Sequence, residues 1–291
     1  MDLFLHLWIM ILIYIIFAMS LNLEMGYTGL FNFGHVAFFG IGAYTSALLT
    51  LRQVPFELAL VASLIAAGFS GFLFSIPSLK LRGDYFGIAT LGFGEIIRMV
   101  FQNEVWITKG PMGLPGIPKP VLFSFRFATL PQYLLLALGF TILTFLVLRF
   151  ITRSPMGRVF KAIREDEVAT VALGKNVFHF RVKSFVIGSV FAGLAGTLWG
   201  HYTTFISPGD FTLLETILVL LIVVLGGQGT EWGPIWGAIV LIFFQESLRF
   251  LKLPAEWTRY LAPLQQMIFG SLLIFLMIYR PEGLIRVKGG R

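Results

Sequence analysis

The chain of 291 residues contains no cysteine, which removes disulfide frameworks, thiolate metal sites and cysteine nucleophiles. Charge is also scarce. Asp, Glu, Lys and Arg make up 13% of the residues, where an ordinary soluble domain carries about 25%. A soluble globular fold is excluded on that ground. The four histidines, His6, His35, His179 and His201, form no HExxH or similar pair, so no metal site and no catalytic group are expected. A GxxxxGK(S/T) loop is missing too, since Gly174-Lys175-Asn176 has neither the upstream glycine nor the following hydroxyl. Without that loop the chain cannot cradle nucleotide phosphates, and any ATP chemistry must belong to a partner.

What is abundant is apolar. Hydrophobic residues make up 57% of the chain, with 31 phenylalanines and 31 glycines that follow no three-residue period. The apolar residues fall in blocks of roughly 20, the length that crosses a ~30 Å hydrocarbon core. The blocks lie near 3–22, 33–51, 56–76, 85–101, 130–151, 184–205, 213–225, 232–250 and 261–278. The expected fold is therefore all-α, a polytopic bundle of about nine spans. The first block lacks the basic leading region and small-residue cleavage site of a signal peptide, so it is expected to be retained. Gly26, Gly29 and Gly34 interrupt the approach to the second block, and Gly226-Gly227-Gln228-Gly229 ends the seventh. Both are expected to be broken or re-entrant, which membrane depth tolerates only where protein or a water-filled cavity surrounds the backbone.

Lys and Arg set the orientation. The stretch from Arg149 to Lys183 carries Arg149, Arg153, Arg158, Lys161, Arg164, Lys175, Arg181 and Lys183, and the tail adds Arg280, Arg286, Lys288 and Arg291. Placing both inside also places Lys80 and Arg82 inside and leaves fewer cations outside: Arg52, Lys109, Lys119, Arg126, Arg249, Lys252 and Arg259. The C-terminus is thus expected in the cytoplasm and the N-terminus outside. Cytoplasmic loops account for the net charge of +7, so no nucleic-acid partner is invoked.

Small residues recur at every fourth position in two segments: Ala59, Ser63, Ala67, Gly71, Ser75, and Ser184, Gly188, Ala192, Gly196, Gly200. Each set forms a nearly straight stripe on one helix face, which lets backbones approach closely in lipid. Gly68-Phe69-Ser70-Gly71 matches the GxSG pattern of rhomboid-type intramembrane proteases, but neither His6 nor His35 has the Asn four residues on that those enzymes carry. Ser70 is read as a packing serine. Glu95 and Arg98, three residues apart inside the fourth segment, can neutralise each other, as a structural pair or as a pathway lining. Glu24, His35, Glu215 and Glu246 lie nearer segment ends, where solvation at the interface is expected.

The cytoplasmic stretch from Ser154 to Gly174 has Ser-Pro as a helix start and Gly174 as a stop, with Glu165, Asp166 and Glu167 suited to a second N-terminus. Two short helices with a bend near Arg164 are expected there, forming a docking surface.

Taken together, the motifs resemble the LivM-type permease subunits of branched-chain amino acid ABC importers, a family with relatives assigned to urea and short amides. The residues that carry this are Gly-Tyr-Thr-Gly-Leu-Phe-Asn-Phe-Gly-His at 26–35, Gly-Ile-Gly-Ala-Tyr at 40–44 and Leu-Arg-Gly-Asp-Tyr-Phe-Gly-Ile-Ala-Thr-Leu at 81–91. Further along come Thr-Lys-Gly-Pro-Met-Gly-Leu at 108–114, the 157–174 stretch, Val-Leu-Gly-Gly-Gln-Gly-Thr at 224–230 and Arg-Pro-Glu-Gly-Leu at 280–284. The resemblance implies a single permease domain over 1–291 in the plasma (inner) membrane, with an ATPase-coupling loop at 152–183. It also implies partners: a LivH-like permease, two ABC ATPase subunits that hold ATP and Mg, an extracytoplasmic substrate-binding protein, and membrane lipid. The 154–174 stretch is similar to EAA-type coupling loops, so Gly157, Ala162, Arg164, Glu165, Glu167, Ala169 and Gly174 are the implied coupling residues. The spacing departs from a strict EAA pattern, with four residues between Ala169 and Gly174 instead of three. Asn32, His35, Glu95, Gly226, Gly227 and Gly229 are the expected pathway residues. Two rival readings remain at this point, an ion-coupled secondary transporter and an intramembrane serine hydrolase built on Ser70.

Overall fold

The computed structural model describes residues 2–249 except Lys80, Arg82 and Ser124, together with Met267, Gly270, Ser271, Ile274, Phe275 and 283–285; the side chains of 246–249 are not described. Most of the expected ninth segment, Lys80, Arg82 and the tail cations Arg280, Arg286, Lys288 and Arg291 therefore lie outside the described residues, as does the side chain of Glu246. In chain order the helices are α1 (Asp2–Leu21), continued by a π-helical turn (Asn22–Tyr27), α2 (His35–Leu51), α3 (Phe56–Ser78), α4 (Asp84–Asn103) and the short α5 (Val105–Thr108). Then follow α6 (Leu130–Arg153), α7 (Pro155–Glu165), α8 (Glu167–Ala172), α9 (Val177–Thr203), α10 (Leu213–Gly226) and α11 (Gly233–Arg249).

Among the described residues, five stretches are long and apolar enough to cross a membrane: Asp2–Tyr27, Phe56–Ser78, Leu130–Arg153, Val177–Thr203 and Pro208–Gly226. The helical membrane protein is confirmed, but the count of about nine spans is not. The first eight expected segments all fall on helices, and the shortfall has physical causes. Helices α2 and α11 are apolar but shorter, each beginning beside a glycine-rich break, and α4 carries Asp84, Glu95 and Arg98.

Helix α1 is apolar all round, and a helix of that kind belongs in the centre. Ile9, Ile11, Ile13, Ile16, Phe17 and Leu21 are buried on every side, against α6, α9, α10 and α11. By contrast α3 and α6 turn large side chains outward, Leu58, Val61, Ile65, Phe69 and Leu73 on one, Leu135, Ile142, Leu143 and Leu146 on the other. Hydrocarbon solvates such side chains as well as a core does, so the inward faces are free to be small.

The stripe on α3 is buried as expected, and it faces α9. The stripe on α9 does not face it in return: Gly188 packs on Glu24, while Gly196 and Gly200 meet Phe39 and Ala43 of α2. A second row on α9, one residue further on, receives α3. Ser63 and Thr197 share a hydrogen bond of 2.7 Å, Gly71 abuts Ser189, and Gly193 abuts Ala67. Gly42 lies directly on the Gly193 backbone, and Thr197 donates to the Gly42 carbonyl at 3.2 Å. Helix α9 is thus the axis on which α1, α2 and α3 close.

Ser70 donates to the Ala67 carbonyl at 2.8 Å. Both ring nitrogens of His201 are engaged elsewhere, with Ser46 at 2.7 Å and the Pro118 carbonyl at 2.7 Å, so His201 forms no pair with Ser70. At that end of the bundle β1 (Leu114–Pro115) pairs antiparallel with β4 (Phe205–Ile206), and β2 (Val121–Leu122) with β3 (Phe125–Arg126). Lys119 donates to the Tyr202 carbonyl at 2.8 Å beneath the rings of Tyr133 and Tyr202, and burial lowers its ammonium pKa.

A Cβ at Gly196 would fall on the Phe39 carbonyl, whereas one at Gly139, on the outer face of α6, meets nothing. Gly196→Ala is expected to cost about 1–3 kcal/mol by overpacking. Gly139→Ala should be neutral or gain up to about 1 kcal/mol in helix propensity. Thermal denaturation of the detergent-solubilised variants separates the two, and equal shifts would contradict this packing.

Candidate functional site

The chain loses regular helix twice within the bundle, and both breaks meet at the end where α7 and α8 lie. At the first, α1 widens into the π-helical turn, residues 29–34 are unwound, and α2 starts at His35. Gly29 takes φ +71°, open to glycine at little cost, and Gly34 sits against the Thr90 carbonyl of α4 with no room for a Cβ. The polar side chains of this stretch point inward. Asn32 donates to Glu24 Oε2 at 2.8 Å and accepts from the Gly34 amide at 3.0 Å. His35 Nε2 lies 2.8 Å from Ser20 Oγ, whose proton goes to the Phe17 carbonyl at 2.6 Å. The histidine is therefore the donor in that pair. Its Nδ1 faces Glu24 Oε1 at 3.4 Å, and that oxygen makes no hydrogen bond. Glu24 and His35 are both 0% exposed, which corrects the expectation that they are solvated at a segment end. They pair because the unwound backbone brings residue 35 back beside residue 24.

At the second break α10 ends at Gly226, Gly227 and Gly229 take positive φ, and α11 begins at Gly233. Asn22 clasps this break to the first. Its Nδ2 donates to the Thr230 carbonyl at 2.9 Å, and its Oδ1 accepts from the Gly229 amide at 2.8 Å. A Cβ at Gly26 would overlap Asn22 and the Gly229 amide, so glycine there sets how closely the two breaks meet. Leu284 and Ile285 donate to the Leu225 and Gly226 carbonyls at 2.7 and 3.1 Å, capping α10 from the far end of the chain.

The 154–174 loop forms the two expected helices. Ser154 caps α7, Asp166 caps α8 by accepting from the Ala169 amide at 2.9 Å, and Gly174 takes φ +75°. The bend falls at Asp166, two residues after Arg164, because Asp is the better cap. Gly157 allows the α6–α7 corner, where a Cβ would strike the Thr152 carbonyl. Phe160 and Ile163 anchor α7 on the bundle, and Lys161 lies 5.5 Å over the Tyr27 ring. Arg164 then reaches across both breaks: Nη1 donates to the Gly26 carbonyl, its stem lies against Gly29, and its guanidinium occupies the space a Gly229 side chain would need. Glu167 accepts two hydrogen bonds from Arg181 of α9, at 2.9 and 3.2 Å.

Of the sequence-derived candidates, Arg164, Asn32, His35, Gly226, Gly227 and Gly229 gather at this junction or in the network behind it. Glu95 does not. It pairs with Arg98 on the partly exposed face of α4, while the neighbouring Gly94 meets Gly34. Glu165 and Ala162 lie on α7, where neither side chain hydrogen-bonds to the breaks among the described residues, and the Ala169 amide donates to Asp166. Three neighbours of the junction are not among those expected from the sequence: Asn22, Ser20 and Glu231, the last accepting from Arg153 at 2.6 and 3.0 Å with Arg149 Nε at 3.4 Å. A signal for Asn22 existed, since an amide within an apolar run is costly unless it has work to do.

A family described as the branched-chain amino acid transport system / permease component matches residues 3–277. The high-affinity branched-chain amino acid transport system permease protein LivM of Escherichia coli is 38% identical over 299 residues, covering 94% of this chain and 68% of that protein. The probable LivM of Methanocaldococcus jannaschii is 29% identical, covering 95% of this chain and 91% of that protein. The autoinducer 2 import system permease protein LsrC of Yersinia pestis is 27% identical over 212 residues, 71% of this chain and 57% of that protein. No solved structure matches the chain.

Glu24 can be replaced by an amide without orphaning Asn32 or His35, because a glutamine both accepts and donates. Glu24→Gln is expected to cost less than about 1 kcal/mol of stability, and Glu24→Leu about 1–3 kcal/mol for the polar groups it strands. Melting curves of the two variants in detergent would contradict the network if they coincided.

Proposed function

The chain belongs to the branched-chain amino acid transport permease family, and from that membership we propose that it is one of two permease subunits of an ATP-driven importer for branched-chain or related hydrophobic amino acids. It is a transport subunit and not an enzyme. A LivH-like permease completes the path, an extracytoplasmic binding protein delivers substrate, and two ABC ATPase subunits hold ATP and Mg. The whole of 1–291 acts as one permease domain in the plasma membrane, with the α7–α8 end and the C-terminus in the cytoplasm.

The observation that carries this reading is the reach of Arg164 from the α7–α8 loop to both helix breaks. A loop that merely lay on lipid headgroups would have no need of such a contact. Helix α8 and the turn after it also expose Val168, Val171 and Leu173, an apolar strip outside the spans that suits a protein partner. In this reading ATP-driven closure of the ATPase subunits displaces α7, and Arg164 passes that displacement to the 26–29 and 226–230 breaks. The small-residue faces of α9 let the bundle rock between outward and inward states, a shift between two packed arrangements. Asn32, His35 and the breaks flank the path, and substrate selection rests mostly with the binding protein.

Purification from native membranes in mild detergent, followed by mass spectrometry, is expected to recover a Walker-motif ATPase and a second permease. Recovery of this chain alone, still transporting after ATP-free reconstitution, would favour an ion-coupled carrier instead. Arg164→Glu is expected to insert and assemble normally but to lower uptake at least tenfold; normal uptake with normal ATPase stimulation would refute the coupling role.

A further inference from the structure

A cavity of about 400 Å³ opens at the α7–α8 end, between the unwound stretch after Gly29, the start of α4 and the second turn of α9. That volume is in the range of small-molecule sites, roughly 300–1,000 Å³. Its chemistry is of three kinds. Leu30, Phe33 and Phe86 supply an apolar wall, and Gly87 keeps the floor open beside the Phe33 ring. Asp84, in the first turn of α4, brings a carboxylate that makes no ion pair among the described residues. Arg181 brings a guanidinium whose Nη1 and Nη2 are given to Glu167, while its buried Nε has no hydrogen-bond partner.

An unpaired guanidinium N–H buried beside a cavity calls for an acceptor. The Nε edge of arginine matches a carboxylate better than it matches a lone carbonyl, because two parallel bonds can form. A free ammonium would complement Asp84, and an aliphatic side chain the apolar wall. We propose that this cavity binds a free α-amino acid with an aliphatic side chain, its carboxylate on Arg181 and its ammonium on Asp84. The ligand class rests on the importer reading above; the site itself is read from the cavity.

Arg181 also joins this site to the loop. The guanidinium holds Glu167 of α8 through Nη1 and Nη2 and the same side chain lines the cavity, so a bound carboxylate and the docking loop share one cation. Occupancy at the cytoplasmic end then bears on where α8 sits, which makes the cavity a place where cargo already inside reports to the ATPase-docking surface.

The test is equilibrium binding of tritiated leucine to the full chain with the subunits that co-purify, in nanodiscs, without nucleotide or binding protein. Saturable binding is expected, displaced by unlabelled leucine but not by leucine methyl ester or 4-methylpentanoate, which lack the carboxylate and the ammonium. Asp84→Asn and Arg181→Lys should each raise Kd at least tenfold; Arg181→Lys keeps the charge that faces Glu167, and Asp84 is exposed, so both variants should fold. Unchanged Kd in both variants would overturn the site, as would displacement by 4-methylpentanoate equal to that by leucine. A complex that imports leucine in liposomes yet shows no saturable binding in nanodiscs would also overturn the site, leaving the importer reading intact. A subunit-complete complex that neither binds nor imports leucine would overturn both.

Discussion

Everything in this structure turns on how unwound backbone is kept satisfied inside a membrane protein. Lipid offers no hydrogen bonds, so a break in a helix must find its partners within the protein. Two breaks here solve the problem largely with each other. Asn22 donates to one peptide group and accepts from another across the gap, Thr230 Oγ1 donates to the Gly227 carbonyl at 2.7 Å, and Arg164 takes the Gly26 carbonyl. The third partner is not part of either break. It comes from α7 of the 154–174 loop, which in the proposed importer makes the breaks answerable to whatever moves that loop.

Such contacts require backbones to come much closer than side chains normally allow. Glycine at 26, 42, 193 and 196 provides the approach, and the large residues displaced from the interior are turned toward lipid on α3 and α6. The inverted pattern, small inside and large outside, follows from the solvent: hydrocarbon exacts nothing for an exposed leucine, whereas close packing is the main attraction left between helices. The same logic accounts for Glu24. A carboxylate can be buried beside Gly188 because Asn32 and His35 are carried back to it by the unwound stretch.

Much of this was legible in the sequence, and the parts that were not share a cause. Helix positions, the two glycine breaks, the α7–α8 hairpin and the inward small residues all depend on local composition and period. Arg164 could be placed in a coupling loop by resemblance, but its contact with Gly26 spans 138 residues of sequence, and nothing local announces it. Glu24 and His35 lie near segment ends in the sequence, a position that marks interfacial residues only while distance along the chain is a proxy for depth. That proxy fails where the chain leaves the helix and folds back. The second small-residue row on α9, Ser189, Gly193 and Thr197, was hidden beside the first, since two adjacent stripes on one helix read as one broad small face. The span count suffered from the same breaks, which shorten the helices they interrupt.

The central claim is that α7 and the first break move as one body, joined by Arg164 and by Lys161 over Tyr27. The natural absence of cysteine allows this to be tested directly. Cysteines introduced as Tyr27→Cys and Lys161→Cys, joined by a short bifunctional thiosulfonate, would tie the two elements together without background labelling. The account predicts that the cross-link forms with and without nucleotide and that the cross-linked complex still transports. Transport abolished by the cross-link and restored by reduction would show that the junction must open during the cycle, and would contradict the account.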